Sequence, residues 1–338
     1  MRQNFAPLRE PNIMEENIFQ SRVDLSQLNE QIKKIREEIG KVIVGQENMI
    51  DLLITAILAD GHVLIEGVPG VAKTLTAKLL SKVIDVNFSR IQFTPDLMPS
   101  DVLGTTIFNL KTSEFEFKAG PIFSNIVLID EINRAPAKTQ SALFEVMEER
   151  QVTVDGTTHK MKSPYMVVAT QNPIEQEGTY RLPEAQLDRF LFKIIVHYPE
   201  FEQEVDIIAR HHERQGVQPI AEIRSVLNAE QISAFRQFAH QVHVDNNLVR
   251  YIAQITHETR NNPLLFLGAS PRASISILMS AKAYALIHGR DFVSPEDIKT
   301  VTVPVLRHRI VLSPEKEMEG ITPDEIIKQI IDKIEVPR

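Results

Sequence analysis

Apolar residues follow two rhythms along this chain. Leu25, Leu28, Ile32, Ile35 and Ile39 are spaced three and four apart up to Gly40, which predicts an amphipathic helix. Val42-Ile43-Val44-Gly45-Gln46 breaks it, and Glu47 to Ala59 resumes helical spacing with Ile50, Leu53, Ile54, Ile57 and Leu58 on one side. Short β-rich runs then alternate with helical stretches: His62 to Glu66, Phe88 to Phe93, Ile126 to Ile129, Tyr165 to Thr170 and Phe192 to Val196. Strands separated by helices predict a parallel sheet covered on both faces. Two antiparallel hairpins interrupt this order. Thr105 to Leu110 and Glu114 to Lys118 alternate around Lys111-Thr112-Ser113, and Gln151 to Val154 and Thr157 to Met161 flank Asp155-Gly156, a type I′ turn signal.

Tyr198-Pro199-Glu200 marks the end of the alternating region. From about residue 201 the pattern predicts helices throughout, with caps at Asn228, at Ser294-Pro295-Glu296-Asp297 and at Ser313-Pro314. Residues 1 to 25 are polar with scattered prolines and predict a loosely attached arm. The expected organisation is therefore an arm (1–25), an α/β/α domain (26–200) and an all-α domain (201–338). No internal repeat or low-complexity segment is visible.

Composition narrows the function classes. A chain of 338 residues with 43% hydrophobic and 24% charged residues has the profile of a soluble globular protein with more than one core. The formal net charge of -8 argues against a broad nucleic-acid footprint, while leaving room for a local basic patch. The chain has 0 cysteines, which excludes disulfides, zinc-thiolate sites and thiol nucleophiles and fits a reducing compartment. The amino-terminal arginines have no apolar stretch behind them, and no apolar run is long enough to span a bilayer. The expected location is the cytoplasm, without membrane insertion.

The candidate chemistry lies at the ends of two predicted strands. After His62 to Glu66 come Gly67, Val68, Pro69, Gly70, Val71, Ala72, Lys73, Thr74 and Leu75, leading into a helical stretch. A strand, a glycine loop and a helix start form a concave nest of N–H groups at the positive end of a helix, which suits a polyphosphate. Lys73 is placed to reach the β- and γ-phosphates of ATP, and the Thr74 hydroxyl to ligate magnesium. Ala72 departs from the consensus phosphate loop, which has glycine there. By itself such a loop is also compatible with an ordinary turn.

The second strand end is Ile126-Val127-Leu128-Ile129-Asp130-Glu131. Four apolar residues followed by two carboxylates put both acids at the carboxyl edge of a buried parallel strand, where open α/β sheets bind ligands. Asp130 would hold magnesium and Glu131 would polarise the attacking water. The plainer alternative is a strand running out into solvent, but it leaves the paired occurrence of the two segments unexplained. With a phosphate loop in place, the break at Val44-Gly45 becomes a candidate wall for the adenine. The histidines carry less: His257-Glu258-Thr259-Arg260 is half of a zinc-protease motif, and His211-His212 lacks a carboxylate at ligand spacing. Magnesium brought with ATP is the expected metal.

The succession Val44-Gly45-Gln46, Gly67 to Thr74, Leu128 to Ala135, Ala169 to Pro173, Leu182 to Phe190 and Gly268 to Ala273 resembles the MoxR family of AAA+ ATPases. That family's phosphate loop ends Ala-Lys-Thr, which accounts for Ala72. The resemblance covers nearly all of the chain beyond the first 25 positions. It implies a P-loop core with a five-stranded parallel sheet and hairpin insertions, a helical lid, and rings, usually hexamers. The first hairpin is implied to interrupt the second core helix and the second to precede the fourth strand, as in magnesium chelatase and MCM-type relatives.

Site roles also follow from the resemblance. Asn172 is implied as the sensor that orients the attacking water, Arg189 as the arginine finger reaching a neighbour's γ-phosphate, and Arg272 as the second sensor on the lid. Residue by residue, Asn172 before Pro173 also reads as a turn residue, and Arg189 could pair with Asp188 or Glu184. Arg181 and Arg134 compete with Arg189 for the trans role. Arg272 sits two positions after Ser270, in the expected first turn of a helix, where the macrodipole disfavours a cation unless an anion such as a polyphosphate is near. The resemblance further implies chaperone-like remodelling, maturation or metal and cofactor insertion in client proteins, often ones with von Willebrand factor A domains. The rivals are an MCM-like nucleic-acid translocase, for which the hairpins offer Lys111, Lys118, His159, Lys160 and Lys162 against Glu114 and Glu116, and an ATP-binding scaffold with little hydrolysis.

Overall fold

The computed structural model describes residues 25–173, 180, 182–214 and 216–337. Helices α1 (Ser26–Gly40) and α2 (Glu47–Leu58) lead into β1 (His62–Gly67), whose loop opens α3 (Lys73–Val83). Strand β2 (Phe88–Gln92) and the short α4 (Pro99–Leu103) precede the first hairpin, β3 (Gly104–Asn109) with β4 (Glu114–Ala119). Strand β5 (Ile126–Asp130) and α5 (Ala137–Glu149) precede the second, β6 (Gln151–Val154) with β7 (Thr157–Lys160). Strand β8 (Met166–Gln171), the single turn α6 (Glu184–Leu187) and β9 (Phe190–Val196) complete this part. The remainder runs α7 (Phe201–Glu213), α8 (Ala229–Gln241), α9 (Asn246–Asn261), β10 (Leu265–Leu267), α10 (Pro271–Ile287), α11 (Pro295–Leu306), β11 (Val311–Leu312), α12 (Pro314–Met318) and α13 (Pro323–Lys333).

The five-stranded sheet has the order β2-β5-β8-β1-β9, and every pairing in it is parallel. Its central strands are buried on both faces, which is why they read as unbroken apolar runs: all of β5 is buried, as are Val63, Leu64 and Ile65 of β1. One face packs under α1, α2 and α3, and the other under α5. The apolar cluster beneath α2 continues into α8, α9, α10, α11 and α13, so these five helices share a core with the sheet. The first hairpin leaves the chain between α4 and a 3-10 turn at Pro121–Phe123, and the second comes just before β8, the fourth strand of the sheet in chain order. Asp155 and Gly156 both have positive φ (49° and 78°), as a type I′ turn requires.

Two expectations need correction. The region beyond 201 is not helical throughout, because β10 and β11 form a small antiparallel ribbon pairing Leu265 with Leu312. Ser313 precedes α12 but makes no side-chain cap, whereas Asn228 and Ser294 accept from the backbone N–H of Gln231 and Asp297. The predicted arm (1–25) lies outside the described residues except for Leu25, which is buried in the core beside α1.

Candidate functional site

The loop after β1 is shaped by two left-handed residues, Gly70 (φ 89°) and Ala72 (φ 60°). Ala72 is the residue that stands where the consensus has glycine, and it adopts the backbone conformation that glycine takes without strain. The Lys73 ammonium donates to the carbonyls of Gly67 and Val68 across the loop. Thr74 lies in the first turn of α3, half-buried, and its Oγ1 donates to Asp130 Oδ1 at 3.4 Å. The lysine, the hydroxyl and the carboxylate thus converge from two different strand ends.

Asp130 ends β5 and is only 6% exposed, with its carboxylate held on both oxygens. Thr170 Oγ1 of β8 donates to Oδ1 at 3.1 Å, and Arg90 Nε of β2 donates to Oδ2 at 2.6 Å. Glu131 follows in the left-handed conformation (φ 57°), its N–H donating to Thr170 Oγ1 at 3.1 Å. Its carboxylate accepts from Gln92 Nε2 at 2.9 Å and lies 3.0 Å from Arg134 Nε. Strain of this kind in a non-glycine residue persists only where the surroundings impose it, and it gathers at functional sites. Asn172, 9% exposed, follows β8 on the same rim.

These residues enclose a cleft of about 340 Å³, bounded by Pro69 to Leu75 on one side and by Arg90, Asp130, Glu131 and Asn172 on the other. A second, more apolar chamber of about 250 Å³ adjoins it. The two share Gly70, Val71, Ala72 and Leu75 as a common wall, and Val44 lines the second. A polar chamber joined to an apolar one across a phosphate loop has the two-part character of a nucleotide, phosphates in one arm and base in the other. Gly45 stands just behind, at φ 71°, where an added Cβ would come 2.3 Å from the Gln203 side chain of α7.

Among the described residues, no group of three or more His, Cys, Asp or Glu side chains is placed to hold a metal alone. The oxygen pair Thr74 and Asp130 nonetheless fits magnesium, which is usually bound through one or two protein oxygens with substrate phosphates and water completing the octahedron.

Arg189 and Arg272 are brought together, but not here. They line a separate cavity of about 260 Å³ that shares no lining residue with the phosphate cleft. Arg272 Nη2 donates to Glu148 Oε2 at 2.7 Å, and Arg189 Nε lies 3.9 Å from the same oxygen with its guanidinium 6.0 Å from the centre of the Phe144 ring. The anion facing the first turn of α10 within the chain is therefore a glutamate. Asp188 is paired with Arg309 at 2.7 Å, not with Arg189. Arg134 lies beside Glu131, and Arg181 is outside the described residues.

Several site residues escaped the sequence reading. Arg90 and Gln92 stand two apart on β2, and the parallel register sets Gln92 against Asp130; the alternation of that strand was visible, its neighbour was not. Arg210 and His211 of α7, and Arg214 just after it, line the apolar chamber, although nothing in their spacing links them to residues near 44.

Residues 62–192 match the model of the ATPase family associated with various cellular activities, and residues 257–330 match the AAA lid domain. The chain is 48% identical over 304 residues to the uncharacterized protein YeaC of Bacillus subtilis, spanning 90% of this chain and 94% of that one. It is 44% identical over 310 residues to Chaperone MoxR1 of Mycobacterium tuberculosis, spanning 89% of this chain and 81% of that one. A crystal structure of a provisionally assigned ATPase from Cytophaga hutchinsonii matches with a TM-score of 0.86 and 43% identity, over 93% of this chain and 97% of that one.

Proposed function

The chain belongs to the MoxR family of AAA+ ATPases, and from that membership we propose that it hydrolyses ATP to ADP and phosphate to remodel or mature partner proteins. The observation that carries the reading is the convergence of Lys73, Thr74, Asp130 and Glu131 on one cleft from two strand ends. Lys73 and the loop amides hold the β- and γ-phosphates. Thr74 and Asp130 hold magnesium, which when bound neutralises charge developing on the phosphate oxygens. Glu131 accepts the proton of the water that attacks the γ-phosphorus, Asn172 orients that water, and the β-γ bridging oxygen leaves with ADP. Val44, Gly45 and the apolar chamber receive the adenine.

Arg189 supplies positive charge to a neighbouring subunit's γ-phosphate in a ring, read as a hexamer, with Arg272 on the same face. The name of the Mycobacterium relative supports a chaperone-like use of the energy, and clients with von Willebrand factor A domains are the kind the family resemblance suggests. The first hairpin exposes Ile107, Phe108, Leu110 and Phe115, which favours contact with protein over nucleic acid. Among the described residues no helix is long and apolar enough to cross a membrane, and a cytoplasmic site of action is part of the same proposal.

The test is a pair of substitutions. Glu131→Gln should keep affinity for a fluorescent ATP analogue while turnover falls by about 10²- to 10⁴-fold. Lys73→Ala should lose the binding itself. A Glu131→Gln protein that still turns over at the parent rate removes Glu131 from the chemistry.

A further inference from the structure

Arg309 is only 7% exposed, and its guanidinium grips the segment that carries Arg189. Nε donates to Asp188 Oδ1 at 2.7 Å, Nη2 to the carbonyls of Asp188 at 3.0 Å and Phe190 at 2.7 Å, and Nη1 to that of Leu191 at 3.1 Å. The backbone on both sides of Arg189 is thus pinned by one side chain. The same pair reaches the helix of Arg272: Ser270 Oγ, at the start of α10, donates to Asp188 Oδ2 at 3.5 Å, and Arg309 Nη2 donates to Ser276 Oγ at 3.5 Å.

One role for these bonds is to seal an edge. Among the described residues strand β9 pairs with β1 alone, so its other side presents carbonyls to the chain that packs there. His308 Nε2 bonds the Phe190 carbonyl at 2.9 Å and Arg307 Nη1 donates to that of Lys193 at 3.1 Å, which extends the seal along the strand. Sealing alone does not call for burying a guanidinium beside the half-buried carboxylate of Asp188, because taking that charge out of water is costly. Burial pulls the Arg309 pKa down, and the hydrogen bond and charge of Asp188 act against that shift. What the rigid guanidinium fork adds is a fixed angle for the residue lying between its acceptors.

We propose that Arg309, through Asp188 and the backbone flanking Arg189, is the positioning residue that sets Arg189 toward a neighbouring subunit's γ-phosphate. The inference rests on the reading of Arg189 as the arginine acting in trans. It makes the helical part of one subunit the frame for its own finger, so any shift there moves Arg189 with it. A misplacement on the order of 1 Å can cost roughly 10²-fold in rate.

Arg309→Met and Asp188→Asn in the full chain should each lower kcat about 10²-fold, with KM for ATP and analogue binding unchanged. Asp188→Asn removes the charge of the pair without touching the buried guanidinium, so it keeps the test alive if Arg309→Met does not fold. Mixing either variant with Lys73→Ala subunits, whose Arg189 is intact, should restore turnover at the variant's own ATP sites. Mixing with Arg189→Ala subunits should not. Asp188→Asn with full turnover, or variants left unrescued in mixtures where Arg189→Ala is rescued, overturns the inference. If Arg189→Ala itself gains nothing from Lys73→Ala partners, the trans reading of Arg189 falls first, and that control arm alone reveals it.

Discussion

Ala72 and Glu131 face each other across the phosphate cleft, and both hold a left-handed backbone, at φ 60° and 57°. For Ala72 the conformation is a cost that glycine avoids, partly offset by the larger entropy a glycine loses on folding. Ala72→Gly should therefore raise stability by up to about 1 kcal/mol in urea unfolding and keep ATP binding; a lower midpoint would mean that the alanine methyl packs to more effect than its backbone strains. His62 is the other residue whose environment makes a measurable claim. It is buried, with Nε2 bonded to the Met147 carbonyl at 3.0 Å and Nδ1 accepting from the Val167 N–H at 2.9 Å. Burial, with help from Arg150, pushes its pKa down to about 3. The unfolded chain takes up that proton near pH ~6.5, so stability is whole above that pH and falls as pH drops toward 3. At pH ~5 the loss from this residue is about 2 kcal/mol, and it should be missing from the pH dependence of His62→Gln. At this scale the sequence showed the residues whose spacing is itself the signal, Gly67 to Thr74 and Asp130-Glu131. It hid Arg90, Gln92 and Thr170, which reach the carboxylates only through strand register, and it gave no hint that Glu148 would meet Arg272.

Among the elements, α7 is held in an unusual way. It buries none of its residues and exposes Phe201, Val205 and Ile208 on its outer side. What fixes it is polar: Arg210 Nη1 donates to the Gly40 carbonyl at 2.7 Å and Arg214 Nη2 to that of Lys41 at 2.5 Å, so two cations cap the open carbonyls at the end of α1. The same helix walls the apolar chamber with Ile207, Arg210 and His211. Arg210→Ala should loosen that wall and raise KM for ATP about tenfold, the equivalent of one charged hydrogen bond, with kcat unchanged. A fall in kcat at constant KM would place Arg210 in the chemistry instead. The core strands and both hairpins were legible because each carries a local cue, an apolar run or a turn such as Asp155-Gly156. The β10–β11 ribbon was not, since strands of 3 and 2 residues show no period, and their pairing joins segments far apart in sequence.

For the whole molecule, the decisive fact is separation. The cleft with Lys73, Asp130 and Glu131 and the cavity with Arg189 and Arg272 share no lining residue, so on the proposed reading of Arg189 the two halves of the phosphoryl-transfer site lie apart within one chain. If the halves meet only between subunits, an isolated chain binds ATP and turns it over slowly, because an arginine finger is typically worth roughly 10³- to 10⁵-fold. Steady-state hydrolysis with magnesium should then rise per subunit as protein concentration rises, in step with a shift to larger assemblies seen by light scattering on the same samples. The two measurements have to be read together. Flat activity over a range in which the assembly visibly dissociates would mean that each chain completes its own site, and Arg189 would lose its trans role. Activity that follows assembly, and disappears at every concentration in Arg189→Ala while ATP binding stays, would tie the missing half of the site to the neighbour.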